Sequence, residues 1–172
     1  MRKILLMILA LSGATALFAQ EKFVQVGLAY TNTRSDFQGT EQGGLAQISM
    51  FASKGIFRFG GYGDFLLTSN AYLGGGGLQL GIGCDAFNSL QFALLGKAGL
   101  GGGVIGGEAG AYYKYGGEFL AILRNNKNPG IGIFFAHDEI RNLIKLDCLN
   151  KNTVGYTSLG IKLSFRVIDS RR

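Results

Sequence analysis

LGIKLSFRV, residues 159–167, puts Leu159, Ile161, Leu163, Phe165 and Val167 on one parity and Gly160, Lys162, Ser164 and Arg166 on the other. A period of two is that of a β-strand, whose successive side chains point to opposite sides. One face is large and apolar. The other carries small residues and two cations. Which of the two meets water decides the fold.

The alternation recurs along the chain and marks eight strands, at about 22–32, 43–52, 55–66, 71–83, 89–100, 107–123, 130–137 and 153–168. Val24, Val26, Leu28 and Tyr30 oppose Gln25, Gly27 and Ala29 in the first. Phe57, Phe59 and Phe65 oppose Arg58, Gly60, Tyr62 and Asp64 in the third. The sixth keeps a single phase from Glu108 to Leu123, with Tyr113, Tyr115 and Phe119 against Tyr112, Lys114 and Glu118.

Composition narrows what such strands can build. The chain has 29 glycines and one proline, is 47% hydrophobic and only 16% charged. Disorder requires low hydrophobicity, which this chain lacks. A soluble surface carries roughly 25–35% charged residues, which it also lacks. The first 19 residues, MRKILLMILALSGATALFA, have two cations, a short apolar run and small residues before Gln20, the plan of a cleaved secretory signal. Residues 20–172 are then the mature domain. Without Arg2 and Lys3 it holds 15 basic and 11 acidic residues, a net charge of +4. The basic residues are scattered, so nothing points to nucleic acid.

The longest charge-free internal stretch, between Asp64 and Asp85, includes Gly74–Gly77, Asn70 and Gln79 and is a poor transmembrane helix. An exported, apolar chain that spans a bilayer without helices must close into a barrel, because lipid offers no partner to a free backbone group. The expected fold is all-β: an eight-stranded antiparallel up-and-down transmembrane barrel. Short turns at 53–55, 84–88 and 124–129 face one side, and connections at 33–42, 67–70, 101–106 and 138–152 the other.

In this plan the sequence resembles the small OmpA/OmpX/OmpW-type barrels of Gram-negative outer membranes. The sharpest likeness is YTSLGIKLSF, 156–165, which is similar to the C-terminal signal read by the barrel-insertion machinery. The resemblance implies residence in the bacterial outer membrane, no cofactor, and Tyr156, Gly160, Leu163 and Phe165 as the insertion signal. The chain departs from the family by running past the aromatic, through Arg166, to Arg172.

Three features turn the apolar parity toward lipid rather than into a lipocalin-like cavity. The opposite parity is mostly glycine, alanine and serine, which suits a narrow interior. Tyr30, Phe65, Tyr72 and Phe135 gather at one set of strand ends and Phe57, Phe92 and Phe165 at the other, like two interfacial girdles. Tryptophan is absent, and with it the glycine-x-tryptophan mark of lipocalins. The charged strand residues Arg58, Asp64, Lys97, Glu108, Lys114, Glu118, Lys162 and Arg166 then point inward, where each needs a partner. Two ion-pair clusters are expected: Asp64, Lys97 and Glu108 toward the outside, and Arg58, Glu118 and Arg166 toward the periplasm.

Other candidate sites weigh less. Cys84 in an inner turn and Cys148 in the last outer loop lie on opposite sides of an apolar band ~25 Å tall, beyond the ~7 Å reach of a disulfide. His137 resembles the exterior histidine of outer-membrane lipid A deacylases, but Glu139 stands where those enzymes have a serine. Neighbouring His137, Asp138 and Glu139 cannot converge on a metal from one strand. GLGGGVIGG, 99–107, has no βαβ unit around it and reads as a glycine-rich hairpin tip. Residues 138–152 suit a short helix or a hairpin extension, whose edge offers pairing to a host or surface protein. The function these features imply is a non-enzymatic outer-membrane protein with a structural or adhesive role. The alternatives are a narrow OmpW-like channel and a lipid A-modifying enzyme.

Overall fold

The computed structural model describes residues 21–35, 39–86, 89–125, 128–142 and 153–167. Eight strands fill them: β1 (Glu21–Ser35), β2 (Gly39–Lys54), β3 (Phe57–Thr68), β4 (Ala71–Ala86), β5 (Leu90–Ile105), β6 (Glu108–Asn125), β7 (Asn128–Asn142) and β8 (Thr153–Val167). Each pairs antiparallel with its chain neighbour, and β8 pairs back onto β1 to close the barrel.

The register fixes the barrel's shape. Val24 faces Met50, which faces Gly61, and the row continues through Leu78, Ala98, Tyr115, Glu139 and Gly155. It re-enters β1 at Arg34, ten residues beyond its start. Eight strands with that stagger lean about 40° from the axis, given ~3.3 Å per residue and ~4.8 Å between strands. A strand of 15 residues, such as β1, then rises about 38 Å. The apolar band of an outer membrane is ~25 Å tall, so the strands outrun it.

That surplus corrects the expected loops. Pairing continues to Ser35↔Gly39 and to Ile105↔Glu108, so 33–42 and 101–106 are mostly strand. The connections at that end are 36–38, 69–70, 106–107 and 143–152, and only the last is long. The strands run on because polar side chains keep the alternation after hydrophobic ones stop. Thr31 and Thr33 are buried, while Asn32 and Arg34 are exposed. The glycine-rich tip is a two-residue turn, with Gly106 and Gly107 at φ +59° and +88°, the positive-φ pair that fits a tight hairpin.

Cys84, expected in a turn, lies within β4 opposite Phe92, with its thiol exposed on the outer face. Residues 138–142 of the expected outer loop belong to β7. The signal segment, the rest of that loop with Cys148, and the tail beyond Val167 lie outside the described residues.

The outer wall is apolar. Leu28, Met50, Leu80, Leu100, Ile133 and Leu159 are each more than half exposed, forming a belt far larger than water-facing surfaces tolerate. Tyr30, Phe65 and Tyr72 are exposed toward one end, and Phe57 and Phe165 toward the other, whereas Phe135, expected with the first group, is the central residue of β7 and lies at mid-height between Phe119 and Leu159. Phe92 is half-buried against Phe119, with centroids 6.1 Å apart.

Inside, the small-residue parity also carries large groups. Leu45, Leu66 and Leu73 adjoin across paired rows, as do Ile140 and Val154, in one apolar cluster. The glycines give those groups room. Tyr62 heads a row that runs Gly77, Gly99, Lys114 across β4 to β6, and Tyr112 heads the reverse row Gly101, Gly75, Asp64. Four glycines thus form a floor on which both tyrosine rings lie. A Cβ on Gly99 would sit 2.8 Å from the Tyr62 hydroxyl and 2.4 Å from the Gly76 carbonyl oxygen; on Gly101 it would meet the Tyr112 ring at 2.5 Å.

Gly99→Val should cost about 2 kcal/mol or more, an overpacking penalty, and reduce the fraction of heat-modifiable, folded barrel on gels. Gly63→Ala, facing outward with its nearest neighbour at 3.6 Å, should leave that fraction unchanged.

Candidate functional site

The middle of the lumen holds six charged side chains from five strands. Glu118 on β6 accepts hydrogen bonds from Lys97 on β5, at 3.4 Å, and from Lys162 on β8. Lys97 also donates to Asp138 on β7 at 3.0 Å. Lys114 on β6 pairs with Asp64 on β3. All six side chains are at most 4% exposed where they pair. Three cations meet three carboxylates, so the cluster is neutral. That balance is what a dry interior demands.

Aromatic faces complete the cluster. The Lys114 ammonium lies 4.6 Å from the Tyr62 centroid and 5.8 Å from that of Tyr156, and Lys162 lies 4.5 Å from that of Phe134. Such cation–π contacts strengthen when water is excluded. Neutral bonds cross the same lumen. Gln25 donates to Ser164 at 3.3 Å and accepts from Ser49 at 3.4 Å, and Thr31 shares a 2.9 Å bond with Ser158. Gln47 and Gln79 are buried beside them, with amide atoms that hydrogen-bond to no described residue.

A second group lies at the mouth beside the short turns. Arg166 pairs with Glu21 at 3.0 Å, Arg124 approaches Glu21 at 3.8 Å, and Arg58 and Arg124 both approach Asp85 at 3.9 Å. Phe23 and Phe51 stack inside the mouth with centroids 5.0 Å apart.

The eight charged residues singled out in the sequence therefore divide differently from the expected layering. Asp64, Lys97, Lys114, Glu118 and Lys162 come together at mid-height, Glu118 among them rather than at the periplasmic end. Arg58 and Arg166 stand at the mouth, the latter with its side chain 64% exposed. Glu108 begins β6 beside the Gly106–Gly107 turn and, among the described residues, has no ion pair. Sequence reasoning missed Asp138, Glu21, Asp85 and Arg124, each assigned to a terminus, turn or loop. Asp138 was detectable, since Gly132, Phe134, Ala136, Asp138 and Ile140 hold one inward parity. Of the proposed insertion residues, Tyr156 and Gly160 turn inward, and Leu163 and Phe165 lie exposed on the outer wall.

On the outer wall, His137 Nδ1 shares a 3.0 Å hydrogen bond with Thr157 Oγ1. Glu139, at the position of the deacylase serine, instead accepts from the Tyr115 hydroxyl. Asp138 points the opposite way, into the lumen, so these three neighbours share no point. Among the described residues no cluster of three metal-ligating side chains forms.

An apolar wall around a filled, charge-paired interior defines a closed eight-stranded transmembrane β-barrel. No family model and no curated protein sequence matches the chain. Among solved structures it is similar to Neisserial surface protein A, at 16% identity and a TM-score of 0.61, over 84% of this chain and 97% of that one. It is also similar to Ail, the attachment invasion locus protein of Yersinia pestis, at 18% identity and a TM-score of 0.41, over 84% and 98% of the two chains. The first likeness carries the fold, that of the small outer-membrane barrels.

Asp64 and Lys114 provide a clean test of the interior, since each is the other's ion-pair partner. Asp64→Leu or Lys114→Met alone should cost about 3–5 kcal/mol in urea unfolding, because each strands a buried charge. The double variant should recover most of that loss.

Proposed function

We propose that the protein is a non-enzymatic barrel of the bacterial outer membrane that serves a structural or adhesive role at the cell surface. One observation carries this reading: a continuous exposed apolar wall encloses a lumen shut by its own paired side chains. Residues 1–19 direct export and are removed. The last strand, through Tyr156, Gly160, Leu163 and Phe165, is the segment recognised for insertion. The ten-residue connection between β7 and β8 is the longest at its end of the barrel and reaches a surface partner.

The His137–Thr157 pair lacks the features of a hydrolytic site. Thr157 has an imidazole beside its hydroxyl, but among the described residues no carboxylate hydrogen-bonds the second ring nitrogen to orient it. A narrow channel is the second reading, favoured by the amides of Gln47 and Gln79 inside the lumen, which hydrogen-bond to no described residue.

Planar-bilayer recording separates the two. The shut barrel should give no stepwise conductance, and deleting 143–152 should abolish binding of cells to host matrix while the heat-modifiable fold persists. Steady conductance that changes in Lys162→Met would establish the channel instead.

A further inference from the structure

The mouth beside the short turns has more guanidinium donors than its described residues use. Among the described residues, Arg58, Arg124 and Arg166 meet two carboxylates there, Glu21 and Asp85. Glu21 is committed to Arg166 at 3.0 Å. Asp85 Oδ1 accepts from Gln91 at 2.8 Å. Arg58 Nη2 and Arg124 Nη1 both stop 3.9 Å from that same oxygen, well outside the ~2.7–2.9 Å of a charge-assisted hydrogen bond.

Three nitrogens are left over: Arg58 Nε and Nη1, and Arg124 Nη2. Each is shielded from solvent, and none hydrogen-bonds to a described residue. Arg58 is 3% exposed. A buried donor without an acceptor is costly, and a charged one more so. The position is nevertheless built. Arg124 stacks 4.3 Å from the Phe23 centroid and Arg58 lies 5.8 Å from that of Phe51. Gly83 leaves room for Arg58, since a Cβ there would lie 2.5 Å from Nε. The entrance is open to solution, because the Asp85 side chain is 63% exposed and that of Arg124 25%.

We propose that this mouth is a binding site for a phosphate group, held between Arg58 and Arg124. Guanidinium forks match tetrahedral oxyanions through paired, directional hydrogen bonds. A phosphate offers more acceptor oxygens than a carboxylate, which suits three free nitrogens on two side chains. Asp85 is then a weak internal competitor that Gln91 holds at a distance. The site is independent of the adhesive reading, since it lies at the opposite end from the 143–152 connection. Its phosphate comes either free in solution or on a phospholipid headgroup at the membrane rim.

The test uses the refolded full-length mature chain in non-ionic detergent, titrated with inorganic phosphate at constant ionic strength set by chloride. Calorimetry should show saturable binding. Arg58→Gln should weaken it about tenfold or more, the loss of a charge-assisted hydrogen bond. Asp85→Asn should tighten it, and Arg166→Gln should leave it nearly unchanged. Should Arg58→Gln fail to fold, Arg124→Gln carries the same expectation. The Arg58 Nε–H NMR resonance identifies the source. A shift in phosphatidylglycerol nanodiscs without added phosphate assigns the headgroup, and a shift only on adding phosphate assigns the free anion. No saturable binding, or equal binding by wild type and all three variants, overturns the proposal.

Discussion

Pairing of β8 with β1 is the constraint on which the rest of the molecule depends. From Lys22↔Val167 to Ser35↔Val154 the last strand joins the first along nearly its whole length. Hydrocarbon gives an unpaired N–H or C=O nothing to bond, and each would cost several kcal/mol, so an open edge cannot persist there. Closure at eight strands with a ten-residue stagger fixes the tilt and, with it, the width of the interior. That width admits side chains and little else.

Everything inward-facing then competes for one narrow volume. The glycines of β4 and β5 exist in that competition: Gly75, Gly77, Gly99 and Gly101 leave the floor bare so that Tyr62 and Tyr112 can lie across it. Charge obeys the same limit. Lys97, Lys114 and Lys162 face Asp64, Glu118 and Asp138 at equal numbers, and each ammonium lies near an aromatic face. At the mouth, where water is near, the balance is looser, and Arg58 and Arg124 keep donors that no described residue uses.

Much of this was legible in the alternation of the chain. The opening stretch, Leu159 to Val167, has the faces its pattern implies, with Leu159, Ile161 and Leu163 outside and Lys162 and Ser164 buried. The ends of the strands were not legible. Hydrophobic alternation stops where the apolar belt stops, yet backbone pairing continues past it through Thr31, Thr33 and Glu41 on one side and Gly101, Gly103 and Ile105 on another. That is why Asp138 was read as loop and the outer connections as longer than they are. Height within the barrel was also hidden. Strands that lean about 40° displace each neighbour along the axis, so Glu118, placed by counting from its strand end, joins Lys97 and Lys162 rather than Arg58.

A nitroxide scan along residues 159–166 in bilayers tests most directly whether the apolar side faces lipid around a shut lumen. Collision with oxygen, which concentrates in lipid, should peak at 159, 161, 163 and 165 with a period of two, and a water-soluble relaxer should fail to reach 162 and 164. Ready access of the water-soluble relaxer to 162 and 164, or oxygen access without the period of two, would contradict the account.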